Sequence, residues 1–250
     1  DLIKLKMAGI LDQIEAEAGP IESVSSAAVT PLMEFNYLDS WNILDTVSPA
    51  SGDQIQAVVS ASNYQQGGIL LRTQWDQGPP FNNEVAAPLP SYPCKNAHCA
   101  VGCTATAGAQ VMAYWDWPPT GIGSPYSDTY DWPRMANQYL WDSGQNRWED
   151  ENGNPLTQAH LDAVSELSHE VGVASGMRYC ANISTCESGA WPADMLSAYK
   201  NNFRYASPGS LVYYHDYTPL GWFSLLKDQF NRNWPVVWHP YPSHVVVGDG

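Results

Sequence analysis

The sequence is poor in charge and poorest in positive charge. Lys and Arg number 11 against 26 Asp and Glu, giving a formal net charge of −15, and charged residues make up only 15% of 250. A field of that sign repels nucleic acid and anionic lipid, which sets both aside as partners. It would suit basic substrates, but the acids are scattered, and solubility is the simpler reading. No run approaches the roughly 18 apolar residues of a membrane span, so the sequence reads as that of a soluble protein with no membrane partner. No initiator Met or signal peptide precedes Asp1, and the expectation is a targeting segment removed or left out. No internal repeat of useful length is visible.

What is present bounds the rest. Apolar residues reach 44%, enough for one large domain, or one domain with an N-terminal extension. There are five cysteines. Cys94 and Cys99 lie close together, as do Cys180 and Cys186, leaving Cys103. Two short-loop disulfides and one free thiol is the simplest arithmetic, although Cys94 or Cys99 could bond elsewhere. Disulfides place the chain in an oxidising compartment: secreted, periplasmic or at the cell surface.

Residues 2–17 read as a modest amphipathic helix ended by Gly19-Pro20. The text then turns Ser-, Ala- and Asn-rich up to Gly67-Gly68, which puts a soft boundary near residues 60–68. Beyond it, Ile69-Leu70-Leu71 reads as a strand and residues 74–83 as a turn-rich aromatic loop. Gly102 to Trp115 reads as a helix, with Ala105 and Ala109 four apart for close packing and Pro118-Pro119 as its stop. Pro155 to Val171 reads as a surface helix capped by Asn154, with His160 and His169 solvated on its polar side. Pro192 and Pro219 open two further helices. Val236-Val237-Trp238 and Val245-Val246-Val247 read as buried strands. Helices first and strands late give an α+β domain.

Cys103 follows Gly102 at the mouth of a helix, where the positive end of the helix dipole favours a thiolate. A lone cysteine is more often inert packing, but being the odd one of five at a helix start argues for reactivity. A thiolate nucleophile needs an imidazole. His98 sits inside the Cys94–Cys99 loop, and His215 and His239 lack a clear context. His244 opens an apolar strand after the turn Pro240-Tyr241-Pro242-Ser243, where a ring is held firmly yet can face a cleft. Its separation from Cys103 falls within the roughly 130–150 residues of the papain arrangement.

Five ordered segments carry a resemblance. Gly102 to Gln110 with Trp117-Pro118 resembles the nucleophile helix of the streptopain family of bacterial cysteine peptidases. Residues 73–82 resemble the start of that family's mature enzyme. Glu166-Leu167 through Val173, and Met177-Arg178-Tyr179, resemble its central helix and following loop. Trp234 to Val237 with Ser243 to Gly250 resembles its histidine strand. The resemblance implies a papain-like fold, with a helical subdomain on an antiparallel β subdomain. It implies no cofactor, a protein or peptide substrate, and synthesis as a zymogen. Residues 1–60 would belong to an inhibitory prosegment and 61–250 to the peptidase domain. Cys103 and His244 would be catalytic, and the Cys103 N–H would be one oxyanion donor. Ser188, Gly189, Ala190 and Ser243 would line the substrate cleft. No metal is called for.

Two departures qualify this expectation. Papain-type enzymes often carry a Gln about six residues before the nucleophile. Here that position is Ala97, and neighbouring Asn96 is the candidate substitute. The family also has an Asn–Trp–Gly–Trp–Gly segment after its histidine strand, which orients the imidazole, and this sequence stops at Gly250. The expectation is therefore an incomplete β subdomain, to be completed by a C-terminal segment or another chain. Three rival readings remain: a zinc site from Cys94, His98, Cys99 and Cys103, an aromatic binding platform, and a catalytically inactive peptidase-like binding scaffold.

Overall fold

The structure is a computed structural model that describes residues 69–205, 209–240 and 244–249. The expected N-terminal helix and the 1–60 prosegment lie outside the described residues. The remainder falls into two compact units, one containing Ile69–Tyr213 with Trp234–Asp249, the other containing Tyr214–Asn233.

The larger unit is organised around helix α1, Cys103–Trp115. Its small residues decide its position. An added Cβ on Gly108 would stand 2.5 Å from Met195 Sδ and 3.1 Å from Val171 Cγ1, so the backbone of α1 lies against two other helices. These are α2, Gln158–Ala174, and α3, Pro192–Asn201. Ala105, Ala109, Met112, Leu167, Val171, Met195 and Phe203 form part of the shared core. The stop of α1 is Asp116, which adopts φ 46 and caps the helix with its N–H on Met112 and Ala113 carbonyls. Pro118, a little further on, follows a cis peptide bond.

Two expectations for α2 are corrected. It begins later than Pro155, and its cap is Thr157 rather than Asn154: His160 Nδ1 accepts the Thr157 backbone N–H at 3.1 Å. Nor is it a surface helix. Leu161, Ala163, Val164, Ser165, Leu167, Ser168, Glu170, Val171 and Gly172 are all buried, and His169 is half-buried, stacked on Tyr179. Reading His169 as solvated failed because the buried arc includes small and polar residues as well as the apolar stripe. α3 opens at Pro192 as expected.

The β structure consists, among the described residues, of three two-stranded antiparallel ladders. Leu140–Asp142 (β1) pairs with Arg147–Glu149 (β2). Arg178–Asn182 (β3) pairs with Glu187–Gly189 (β4) through a register shift. The smaller unit supplies helix α4, Pro219–Asn231, opened by Thr218, whose Oγ1 accepts the Gly221 N–H at 3.1 Å. Val236–Trp238 (β5) and Val246–Gly248 (β6) return to the larger unit with the register Val237↔Val247. This ladder packs on α1, with Val245 and Val247 against Leu71, Ala107 and Val111. The mixture of helices and small antiparallel ladders is the α+β class expected.

Ile69-Leu70-Leu71 is not a strand. Leu70 N–H donates to the Asp249 carbonyl at 2.9 Å, but the next donor, Leu71 N–H, goes to the Asp249 carboxylate at 3.3 Å. A side chain takes the place of the ladder, and pairing ends after one bond. Burial holds the Asp249 carboxyl above the ordinary aspartate range, an effect the Leu71 N–H opposes.

Candidate active site

The site forms where α1 begins. Gly102 has φ 91, and a Cβ there would lie 2.5 Å from Met177 Sδ and 3.2 Å from the Ser188 carbonyl oxygen. Only glycine lets the chain turn into the helix while touching that strand. Thr104 is buried, and its Oγ1 donates to the Ala190 carbonyl at 2.7 Å. Ser188, Gly189 and Ala190 are thus held beside Cys103, with bonds to the residues on either side of it or contacts with them. Ser188 Oγ accepts the Cys180 N–H at 3.0 Å, which fixes the strand from its other side.

Cys103 is a free, half-exposed thiol. It packs against the cluster of Leu71, Ala107, Val111, Val245 and Val247. Val245 directly follows His244, which is half-buried in the segment leading into β6. His244 therefore stands two residues before β6, a strand that packs on the Cys103 helix. Ser243 lies outside the described residues.

The disulfides involve the four expected cysteines, but their pairing is corrected. Cys94 bonds Cys186 and Cys99 bonds Cys180, with sequence separations of 92 and 81. Neither short loop is closed on itself. Instead the 94–99 loop is stapled to the β3–β4 hairpin, leaving Cys103 as the odd thiol. The pairing also removes the sulfurs of Cys94 and Cys99 from any zinc site with His98 and Cys103, because a disulfide sulfur offers no thiolate. His98 is engaged elsewhere, with Nδ1 on the Val85 carbonyl.

Asn96 is exposed. Its loop is tied to the turn end of the hairpin, where Cys94 N–H donates to the Ile183 carbonyl at 3.2 Å. The Gly189 end, at the opposite extreme of the hairpin, is the one that borders Cys103. Gln77 stands better. Its carbonyl accepts the Val101 N–H at 3.0 Å, two residues before Cys103, and Gln77 is half-buried. The Asp76 carboxylate anchors this turn by accepting the N–H groups of Gln77 and Gly78.

Among the described residues, one carboxylate group could approach a cation: Asp128, Glu166 and Glu170, with oxygens within 4.8 Å of one another. Tyr130 OH donates to Glu170 Oε2 at 2.5 Å. Burial, then the bond with Asp128, raises Glu166 to about 7. Burial likewise raises Glu170 and Glu84.

A helical body with an antiparallel ladder packed on its central helix is the arrangement of the papain-like cysteine peptidase fold. The profile of the Peptidase C10 family matches residues 75–250, and the chain belongs to that family. It is similar to streptopain of Streptococcus pyogenes serotype M28 (strain MGAS6180), 24% identical over 229 residues, covering 83% of this chain and 54% of streptopain. It is 26% identical over 185 residues to the thiol protease/hemagglutinin PrtT of Porphyromonas gingivalis, covering 70% of this chain and 20% of PrtT. Among solved structures, a prointerpain A fragment of Prevotella intermedia superimposes with TM-score 0.58 at 25% identity, covering 72% of this chain and 56% of that one. Active wild-type interpain A gives 0.54 at 26% identity, with 68% of each chain covered. The chain spans about half the length of streptopain.

Proposed function

We propose that the chain hydrolyses peptide bonds as a secreted cysteine endopeptidase, with Cys103 as nucleophile and His244 as its base. The observation that carries this reading is the placement of Cys103 at the first turn of α1, with His244 two residues before the β6 strand that packs on that helix. Cys103 attacks the scissile carbonyl, and the imidazolium protonates the leaving amine. Water, deprotonated by His244, then releases the acyl group from sulfur. The Cys103 N–H is one oxyanion donor, and the Gln77 side-chain amide replaces Asn96 as the second. Ser188 to Ala190 offer an edge along which a peptide lies, and Ser243 is a further cleft residue of the same reading.

Residues 1–60 act as a prosegment preceding a peptidase domain at 61–250. Membership in the family, with a prointerpain fragment among the similar structures, supports a zymogen. Two disulfides support secretion or a cell-surface location. The test is turnover of unfolded protein or peptide substrates. Cys103→Ala abolishes it, and Gln77→Ala lowers kcat by roughly 10²–10³-fold, as for loss of one oxyanion donor. Turnover that survives Cys103→Ala contradicts the reading.

A further inference from the structure

Trp191 is 64% exposed, among the most exposed large apolar side chains described. It directly follows Ala190, whose carbonyl is held by Thr104 at 2.7 Å, so the ring stands at the end of the edge beside Cys103. On the other side, His239 follows β5. Side chains alternate along an extended strand, so His239 continues the face of Val237, which packs into the cluster containing Cys103 and Val247. The two rings meet: their centroids are 6.5 Å apart at 77°, an edge-to-face contact. A peptide strand passing between them would need walls about 10 Å apart, the spacing of packed sheets.

We infer that Trp191 and His239 form a specificity wall at one end of the proposed cleft, selecting a substrate with an aromatic side chain that lies on the open face of Trp191. The proposal rests on the peptidase reading of the site. The contact with His239 holds the exposed indole in place as a flat apolar platform. Phe or Tyr stacks on such a platform and gains beyond its buried area, whereas a branched aliphatic side chain gains burial alone. A cationic side chain could also use the indole face, but the neighbouring ring is an imidazole and supplies no anion to hold it.

The experiment uses matched fluorogenic peptides differing at one position, Phe, Val or Lys. It compares the wild type with Trp191→Ala, Trp191→Phe and His239→Ala. The wild type is expected to prefer Phe over Val by roughly 3–10-fold in kcat/KM, the factor that aromatic pairing supplies. Trp191→Ala removes the preference, and Trp191→Phe keeps most of it. A preference for Val or Lys, or a Phe preference that survives Trp191→Ala, overturns the proposal. Binding of the same peptides to Cys103→Ala is measured in parallel by calorimetry. If no peptide is hydrolysed, the peptidase reading fails, and the wall is judged on affinity alone: equal binding of Phe and Val peptides overturns it too.

Discussion

At the scale of single residues, the account depends on how closely backbone approaches backbone at Gly102. Its φ of 91 is unfavourable for any side chain, and a Cβ would press on Met177 and the Ser188 carbonyl. Gly102→Ala is expected to cost about 1–3 kcal/mol, combining backbone strain with overpacking. Thermal unfolding should show a lower Tm, and labelling of Cys103 should slow as the Ser188–Ala190 edge shifts. An unchanged Tm would mean that the approach is looser than described. That Cys103 is the free thiol at a helix start was legible from sequence, because it is the odd cysteine and small residues follow it. Gln77 was not, since a turn 26 residues before Cys103 (103 − 77) gives no local sign that Val101 will bond to it. The same holds for Trp191 and His239, whose contact joins two segments far apart in the chain.

Elements bring a second set of consequences. The helices and the two late strands could be read from periodicity and from proline at their first turns, and the structure keeps them within a few residues. The pairing of cysteines could not, because proximity in sequence favoured Cys94 with Cys99 while the fold brings Cys186 and Cys180 to them. Peptide mapping without reduction should recover Cys94 linked to Cys186 and Cys99 linked to Cys180, and no peptide closed between Cys94 and Cys99. Replacing Cys94 and Cys186 together by Ala opens a loop with a sequence separation of 92. The chain-entropy limit for such a loop is about 4–5 kcal/mol. Helix α2 brings a pH dependence. Glu166 is raised to about 7 in the folded protein from the ordinary glutamate value of 4.5, facing Asp128, Glu170 and Glu84, with Tyr130 bonded to Glu170. Between these two values the native state binds more protons than the unfolded state, so this group's contribution weakens as pH rises from about 4.5 to 7. Its stabilising effect is fully present below that window. Glu166→Gln should flatten the dependence and raise Tm most at pH 7–8, as measured by unfolding across pH. A Tm profile identical to that of the wild type would refute the shared-proton arrangement.

For the whole molecule, the central claim is that a β ladder brings an imidazole to the thiol of a helix start, within a chain of the Peptidase C10 family. The class of fold was legible because five segments kept the order that a papain-like arrangement requires. The relation between the ends of the site was not, because it is set by long-range contacts such as Leu71 with Asp249. The charge of −15 acts only as a background field at this scale. The dyad is tested most directly by treating the protein with a thiol-directed epoxide and locating the adduct by mass spectrometry, in the wild type and in His244→Ala. The account predicts a single adduct on Cys103 in the wild type and loss of labelling in His244→Ala, with folding of the variant checked by circular dichroism. Labelling of Cys103 at the same rate without His244 would contradict it.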